Sequence, residues 1–133
     1  MAKINREVIH SDEAPKPIGP YSIGIRASGL VFASGSAGID PSTGELVPGG
    51  IEAETRQTLE NLKSILEAGG ASLKSVVKTT VFLRDMAEFP KMNAVYREYF
   101  PVDSPARTTV QAAALPKSAA VEIDAIALAE DSQ

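Results

Sequence analysis

Cysteine is absent, and a single histidine, His10, stands near the N-terminus. The first absence removes disulfides, thiolate nucleophiles and zinc–thiolate sites. The second means that one chain cannot assemble a histidine triad or a multi-histidine metal site, and His10 itself reads as a strand-edge or surface residue. Tryptophan is also missing, and aromatic residues make up only 5% of the chain. No apolar run approaches the ~20 residues that span a bilayer. The opening Met1-Ala2-Lys3-Ile4-Asn5-Arg6 lacks the apolar core of a secretory leader, so a cytoplasmic protein without membrane attachment is expected. Basic residues are in the minority: the net charge is −4, and the cations are scattered rather than gathered into a stripe. Nucleic-acid binders draw much of their affinity from phosphate neutralisation, so nucleic acid is not expected as the main ligand. Gly49-Gly50 and Gly69-Gly70 lack the following Gly-Lys-Ser/Thr of a phosphate loop. Ser34-Gly35-Ser36 has no histidine at hand to activate a nucleophile, and the carboxylates are spread too widely to imply a metal.

What is present fits one globular domain over residues 1–133, with 44% apolar and 23% charged residues. Strands are expected at about Ile4–Ile9, Tyr21–Ala27, Leu30–Ser34 and Val76–Leu83, then at Arg107–Ala113 and Ala119–Ala129. Ser28-Gly29 suits a hairpin, and Asp40-Pro41-Ser42-Thr43-Gly44 a turn. The clearest helix covers 51–68. Thr55, Thr58, Leu59, Leu62, Ile65 and Leu66 fall on one face; Glu54, Arg56, Glu60 and Lys63 take the other. A second helix spans Phe89–Tyr99, with Pro90 in its first turn. On Val76–Leu83, Val77, Thr79, Val81 and Leu83 are expected to share a face. The order β-β-β-α-β-α-β-β gives an α+β fold: a mixed sheet with both helices on one face. The other face carries apolar and β-branched residues with no third layer to cover them, which predicts self-association.

Two residues stand out chemically. Arg107 leads a strand after Pro105-Ala106, and Glu122 sits between Val121 and Ile123, with Asp124 on the same strand face. Each has a plain alternative, a surface ion pair for the arginine and a solvated strand face for the carboxylates. A guanidinium fork binds carboxylates bidentately, and a nearby carboxylate can position or activate water. If the two meet in one pocket, they suit a small anionic substrate and a reaction with water.

Ordered blocks along the chain sharpen this reading: Ile18-Gly19-Pro20-Tyr21-Ser22, Ala33-Ser34-Gly35, Asp40-Pro41-Ser42-Thr43-Gly44, Val77-Lys78-Thr79-Thr80-Val81, Met92-Asn93-Ala94-Val95-Tyr96, Pro105-Ala106-Arg107, Leu115-Pro116-Lys117 and Val121-Glu122-Ile123. Together they resemble the RidA/YjgF/UK114 family of reactive-intermediate deaminases over nearly the whole length. The resemblance implies a chorismate-mutase-like homotrimer with a central barrel and active sites in the clefts between subunits. It implies hydrolysis of 2-imino or enamine acids, such as 2-aminoacrylate, to 2-keto acids and ammonia, without a cofactor. Arg107 would hold the substrate carboxylate and Glu122 would orient water. Tyr21, Ser34, Gly35, Asn93 and Thr109 would line the pocket. Ser36 stands where a glutamine is common in the family and Thr109 where many members carry cysteine, which bears on pocket size. Two other readings stay open: a non-catalytic binder of 2-keto acids or similar carboxylates, and a ribonuclease or translation inhibitor, a label that family members also carry.

Overall fold

The β-branched and apolar runs pair into one six-stranded sheet. The computed structural model describes residues 4–130, and its strands are β1 (Glu7–Ile9), β2 (Gly24–Ala27), β3 (Leu30–Ala37), β4 (Val76–Leu83), β5 (Ala106–Gln111) and β6 (Val121–Leu128). Helix α1 (Gly50–Ala68) joins β3 to β4 and helix α2 (Phe89–Tyr99) joins β4 to β5. Met1 to Lys3, the start of the segment read as lacking a leader, lie outside the described residues. The sheet order is β1-β2-β3-β6-β4-β5. Only β4 and β5 run parallel, as the helical crossover between them requires. The expected element order is therefore observed. Ser28 and Gly29, at φ 52° and 76°, turn β2 into β3 with the twist that two-residue hairpins favour.

The last strand in sequence, β6, lies between β3 and β4. Its residues alternate cleanly: Val121, Ile123, Ala125 and Ala127 are buried, whereas Glu122, Asp124 and Ile126 are half-buried and Leu128 is exposed. The buried set packs with Val31, Val81 and Leu83 of the sheet and with Leu59, Leu62, Ile65 and Leu66 of α1. Met92, Tyr96 and Phe100 extend this core along α2. Both helices cover the same sheet face, as expected. The opposite face is left with Phe32, Val110 and Leu128 exposed. No helix among the described residues is long and apolar enough to cross a membrane.

Two expectations fail for identifiable reasons. Val77 does not share the buried face with Thr79: the register of β4 against β6 shifts between Val76 and Lys78, and this bulge leaves Val77 43% exposed while Val76 is buried. Glu54 does not belong to the solvent side of α1; it is only 6% exposed. With Thr58 and Asn61 it forms a polar row beside the apolar stripe, at helical spacing. Each member satisfies backbone that the sheet leaves unpaired or that closes the row itself. Glu54 Oε1 accepts from Ala120 N at 2.8 Å. Asn61 Nδ2 donates to Ala37 O at 3.0 Å and to Ile39 O at 2.8 Å. Thr58 Oγ1 donates to Glu54 O at 2.6 Å. These bonds tie α1 to the end of β3 and to the approach to β6.

Replacing Asn61 by alanine leaves two part-buried carbonyls without their donor. Asn61→Ala is expected to destabilise the protein by about 2–4 kcal/mol, since each unsatisfied group costs about 1–3 kcal/mol. Urea unfolding checks this; an unchanged midpoint would show that water replaces the amide.

Candidate functional site

β6 and β5 present their charged residues to opposite sides of the sheet. Arg107 pairs with Thr79 across β4–β5, and Thr79 Oγ1 bonds Tyr96 Oη at 2.8 Å beneath α2. Arg107 therefore points to the helix side. Its guanidinium lies over the Tyr96 ring, 4.7 Å from the centroid, and 5.4 Å from that of Phe89. Such stacking holds the planar cation while leaving its N–H edge free. No ion pair to Arg107 occurs among the described residues. Burial raises the Tyr96 pKa, and the Thr79 hydrogen bond and the Arg107 charge oppose that rise; Tyr96 is thus a neutral platform.

Glu122 pairs with Phe82 of β4 and with Ala37 of β3, and alternation puts it on the open face. The register of β3 shifts between Ala33 and Ser36, and this irregularity sets Gly35 against the carboxyl. A Cβ on Gly35 would lie 2.5 Å from Glu122 Oε2, so a larger residue there would force the carboxyl out of its observed position. Burial, with the like charge of Asp124 added, raises the Glu122 pKa above the ordinary 4.5. Asp124 itself is engaged, its Oδ1 accepting from Thr80 N at 3.1 Å.

Two cavities result. The larger, about 690 Å³, is bounded by Glu122, Gly35, Ser34, Tyr21, Ser36 and Lys117, among others. Ser34 Oγ donates to Ser22 O at 2.6 Å, which fastens the loop carrying Tyr21 to β3. Tyr21, 49% exposed, accepts from Ile18 N at 3.3 Å. The smaller cavity, about 290 Å³, is lined by Arg107, Asn93, Tyr96 and Arg97 with neighbouring residues. Thr109, paired with Val81 two residues beyond Arg107, lines neither. Within one chain, then, Arg107 and Glu122 do not meet in one pocket. Strand β4 lies between theirs, and they face opposite sides. The expectation of a shared pocket assumed that strands close in sequence are neighbours in the sheet.

Sequence reading also passed over three contributors. Phe89 and Tyr96 form the platform under Arg107, a role that helical spacing alone does not signal. Lys117 had marked a motif without a role. It has φ 58°, lines the larger cavity and donates from Nζ to Gly44 O at 2.7 Å. That bond ties the 40–44 turn to the approach of β6.

Residues 11–129 match the family model described as Endoribonuclease L-PSP. A RutC family protein of Pyrococcus horikoshii is 54% identical over 125 residues, covering 94% of this chain and 99% of the relative. The chain belongs to the RidA/YjgF/UK114 family. Among its members, the 2-iminobutanoate/2-iminopropanoate deaminase of Mus musculus is 48% identical over 128 residues, 96% of this chain and 95% of that one. The crystal structure of Escherichia coli TdcF with bound serine superposes with a TM-score of 0.88 at 38% identity, covering 93% of this chain and 99% of that one. The RidA-like blocks fall on both cavities: Tyr21, Ser34, Gly35 and Lys117 on the larger, Asn93 and Arg107 on the smaller.

The fit between Gly35 and Glu122 is testable without an assay of function. Gly35→Ala is expected to destabilise the wild-type background by about 1 kcal/mol or more through crowding. In a Glu122→Ala background that penalty should largely vanish, a coupling of about 1 kcal/mol. Equal penalties in both backgrounds would show that the methyl strikes something else.

Proposed function

We propose that the protein hydrolyses 2-imino acids and their enamine tautomers to 2-keto acids and ammonia, in clefts formed between copies of the chain. The observation that carries this reading is the pair of incomplete half-sites: an unpaired, ring-stacked arginine on one side of the sheet and a half-buried carboxyl with a raised pKa on the other. Neither half suffices alone, and the uncovered sheet face gives a second copy a place to pack. The family form of that packing is a homotrimer. The deaminase names of relatives at 44–48% identity support the reaction.

In this reading Arg107 grips the substrate carboxylate through two parallel N–H bonds. Glu122 accepts a proton from water as its oxygen attacks the imine carbon, giving a tetrahedral carbinolamine. Glu122 passes that proton to nitrogen and then takes the proton of the carbinolamine hydroxyl as the C–N bond breaks, so ammonia leaves and the hydroxyl oxygen becomes the keto C=O. A carboxyl whose pKa is raised towards the working pH suits both accepting and returning that proton. The imine carbon is already electrophilic, so positioning supplies much of the acceleration. Two features weigh against RNA as the substrate: the net charge of −4 and the lack of histidine in the lining of either cavity.

The decisive experiment uses freshly generated 2-aminoacrylate. Wild-type protein should accelerate keto-acid release, and Arg107→Ala should lower kcat/KM by about 10–100-fold, the worth of a charged hydrogen-bonded anchor. Arg107→Ala and Glu122→Ala subunits, mixed by refolding together, should recover about a quarter of the activity, because random pairing restores that share of two-chain clefts. No recovery would refute the two-chain site. Binding of 2-oxobutanoate without any turnover would instead favour a carboxylate-sensing protein.

The pH profile follows from the direction of the Glu122 shift. The ionised carboxylate is the working base, so activity falls as pH drops through a pKa above 4.5. For stability the sign is opposite: burying the charge costs the fold at neutral pH, and protonation below the raised pKa relieves that cost. Asp124→Asn, which keeps the oxygen facing Thr80 N and removes the repulsion, should move the acid limb of kcat/KM to lower pH. An unmoved limb would mean that the titrating group is not Glu122.

A further inference from the structure

A second arginine lines the smaller cavity, and the deaminase reading does not use it. Arg97 stands one helical turn beyond Asn93 on α2 and lines this cavity together with Arg107. Among the described residues, no acidic side chain borders it. The adjacent Glu98 is committed elsewhere, in a two-pronged pair with Arg56 of α1 at 2.9 and 3.1 Å. Neither Arg97 nor Arg107 forms an ion pair among the described residues. An acidic protein, of net charge −4, thus gathers two unpaired arginines at one acid-free cavity of about 290 Å³, a volume suited to a small molecule.

One monocarboxylate satisfies one fork. The second arginine is left at a cavity whose other polar lining residues are Asn93, Tyr96 and Ser104. We infer that the substrate class extends to dicarboxylates: 2-imino acids with a second carboxylate on the side chain, held by Arg97 while Arg107 holds the first. This rests on the reading of Arg107 as a carboxylate anchor. Arg97 is exposed, so its replacement leaves the core untouched.

The test measures binding of two unreactive keto acids by calorimetry, 2-oxoglutarate and 2-oxobutanoate, to wild type and Arg97→Ala. Wild type is expected to bind 2-oxoglutarate about tenfold more tightly, the scale of one added charged fork. Arg97→Ala should abolish that preference and leave 2-oxobutanoate affinity unchanged, with Arg97→Lys falling between. In turnover, Arg97→Ala should raise KM for 2-iminoglutarate while 2-iminobutanoate hydrolysis is unaffected. Equal affinities in wild type, or a preference that survives Arg97→Ala, overturns the inference while leaving the monocarboxylate site standing. Failure of wild type to bind either keto acid removes the anchor reading of Arg107 and this inference with it.

Discussion

Strand β6 enters the sheet between β3 and β4, and the site depends on that insertion. Its odd-numbered residues must bury Val121, Ile123, Ala125 and Ala127 under the helices. Period-two alternation then forces Glu122 and Asp124 onto the open face. The same neighbour, β4, fixes Arg107 through its parallel pairing with β5, and there the buried side of Thr79 carries the arginine towards α2. A slip of one residue in β6 would drive Glu122 and Asp124 into the core, and its hydrophobic cost holds them on the open face. A slip in β5 would carry Arg107 away from the rings of α2.

Hydrogen bonds from α1 complete what the sheet begins. A strand that bulges at Ser34-Gly35 leaves backbone groups without ladder partners, and buried groups of that kind must be satisfied. Asn61 and Glu54 supply partners to the segments on either side of Glu122, at Ala37, Ile39 and Ala120. The backbone just beyond the bulge, at Ala37 and Ile39, is thereby held by a regular helix. The exposed Arg56–Glu98 pair joins α1 to α2 but adds little to stability, as solvent-screened pairs do. Its larger consequence is to withdraw Glu98 from the neighbourhood of Arg97.

Charge is therefore distributed by position rather than by sum. The chain is acidic overall, yet among the described residues its smaller cavity is bordered by two arginines and no carboxylate, while the larger is lined by both Glu122 and Lys117. Aromatic faces, few as they are, lie where they matter: Phe89 and Tyr96 under Arg107. The arginine keeps its charge whatever its surroundings, whereas the carboxyl responds to burial. The two groups thus differ in kind, one a permanent charge and the other a carboxyl whose titration its surroundings set.

Much of this was legible in the residues. Period-two and helical spacing located all six strands and both helices, because burial imposes those periods on the chain directly. Ordered blocks around Tyr21, Ser34, Asn93, Arg107 and Glu122 named the family. Other features depend on partners distant in sequence. The exposure of Val77 follows from a bulge against β6, and the burial of Glu54 from a backbone amide at Ala120. The separation of Arg107 from Glu122 follows from strand order, which no local pattern encodes. Spacing determined which residues face together along each element; only the tertiary structure decided which elements became neighbours, because pairing is set by long-range packing of whole faces.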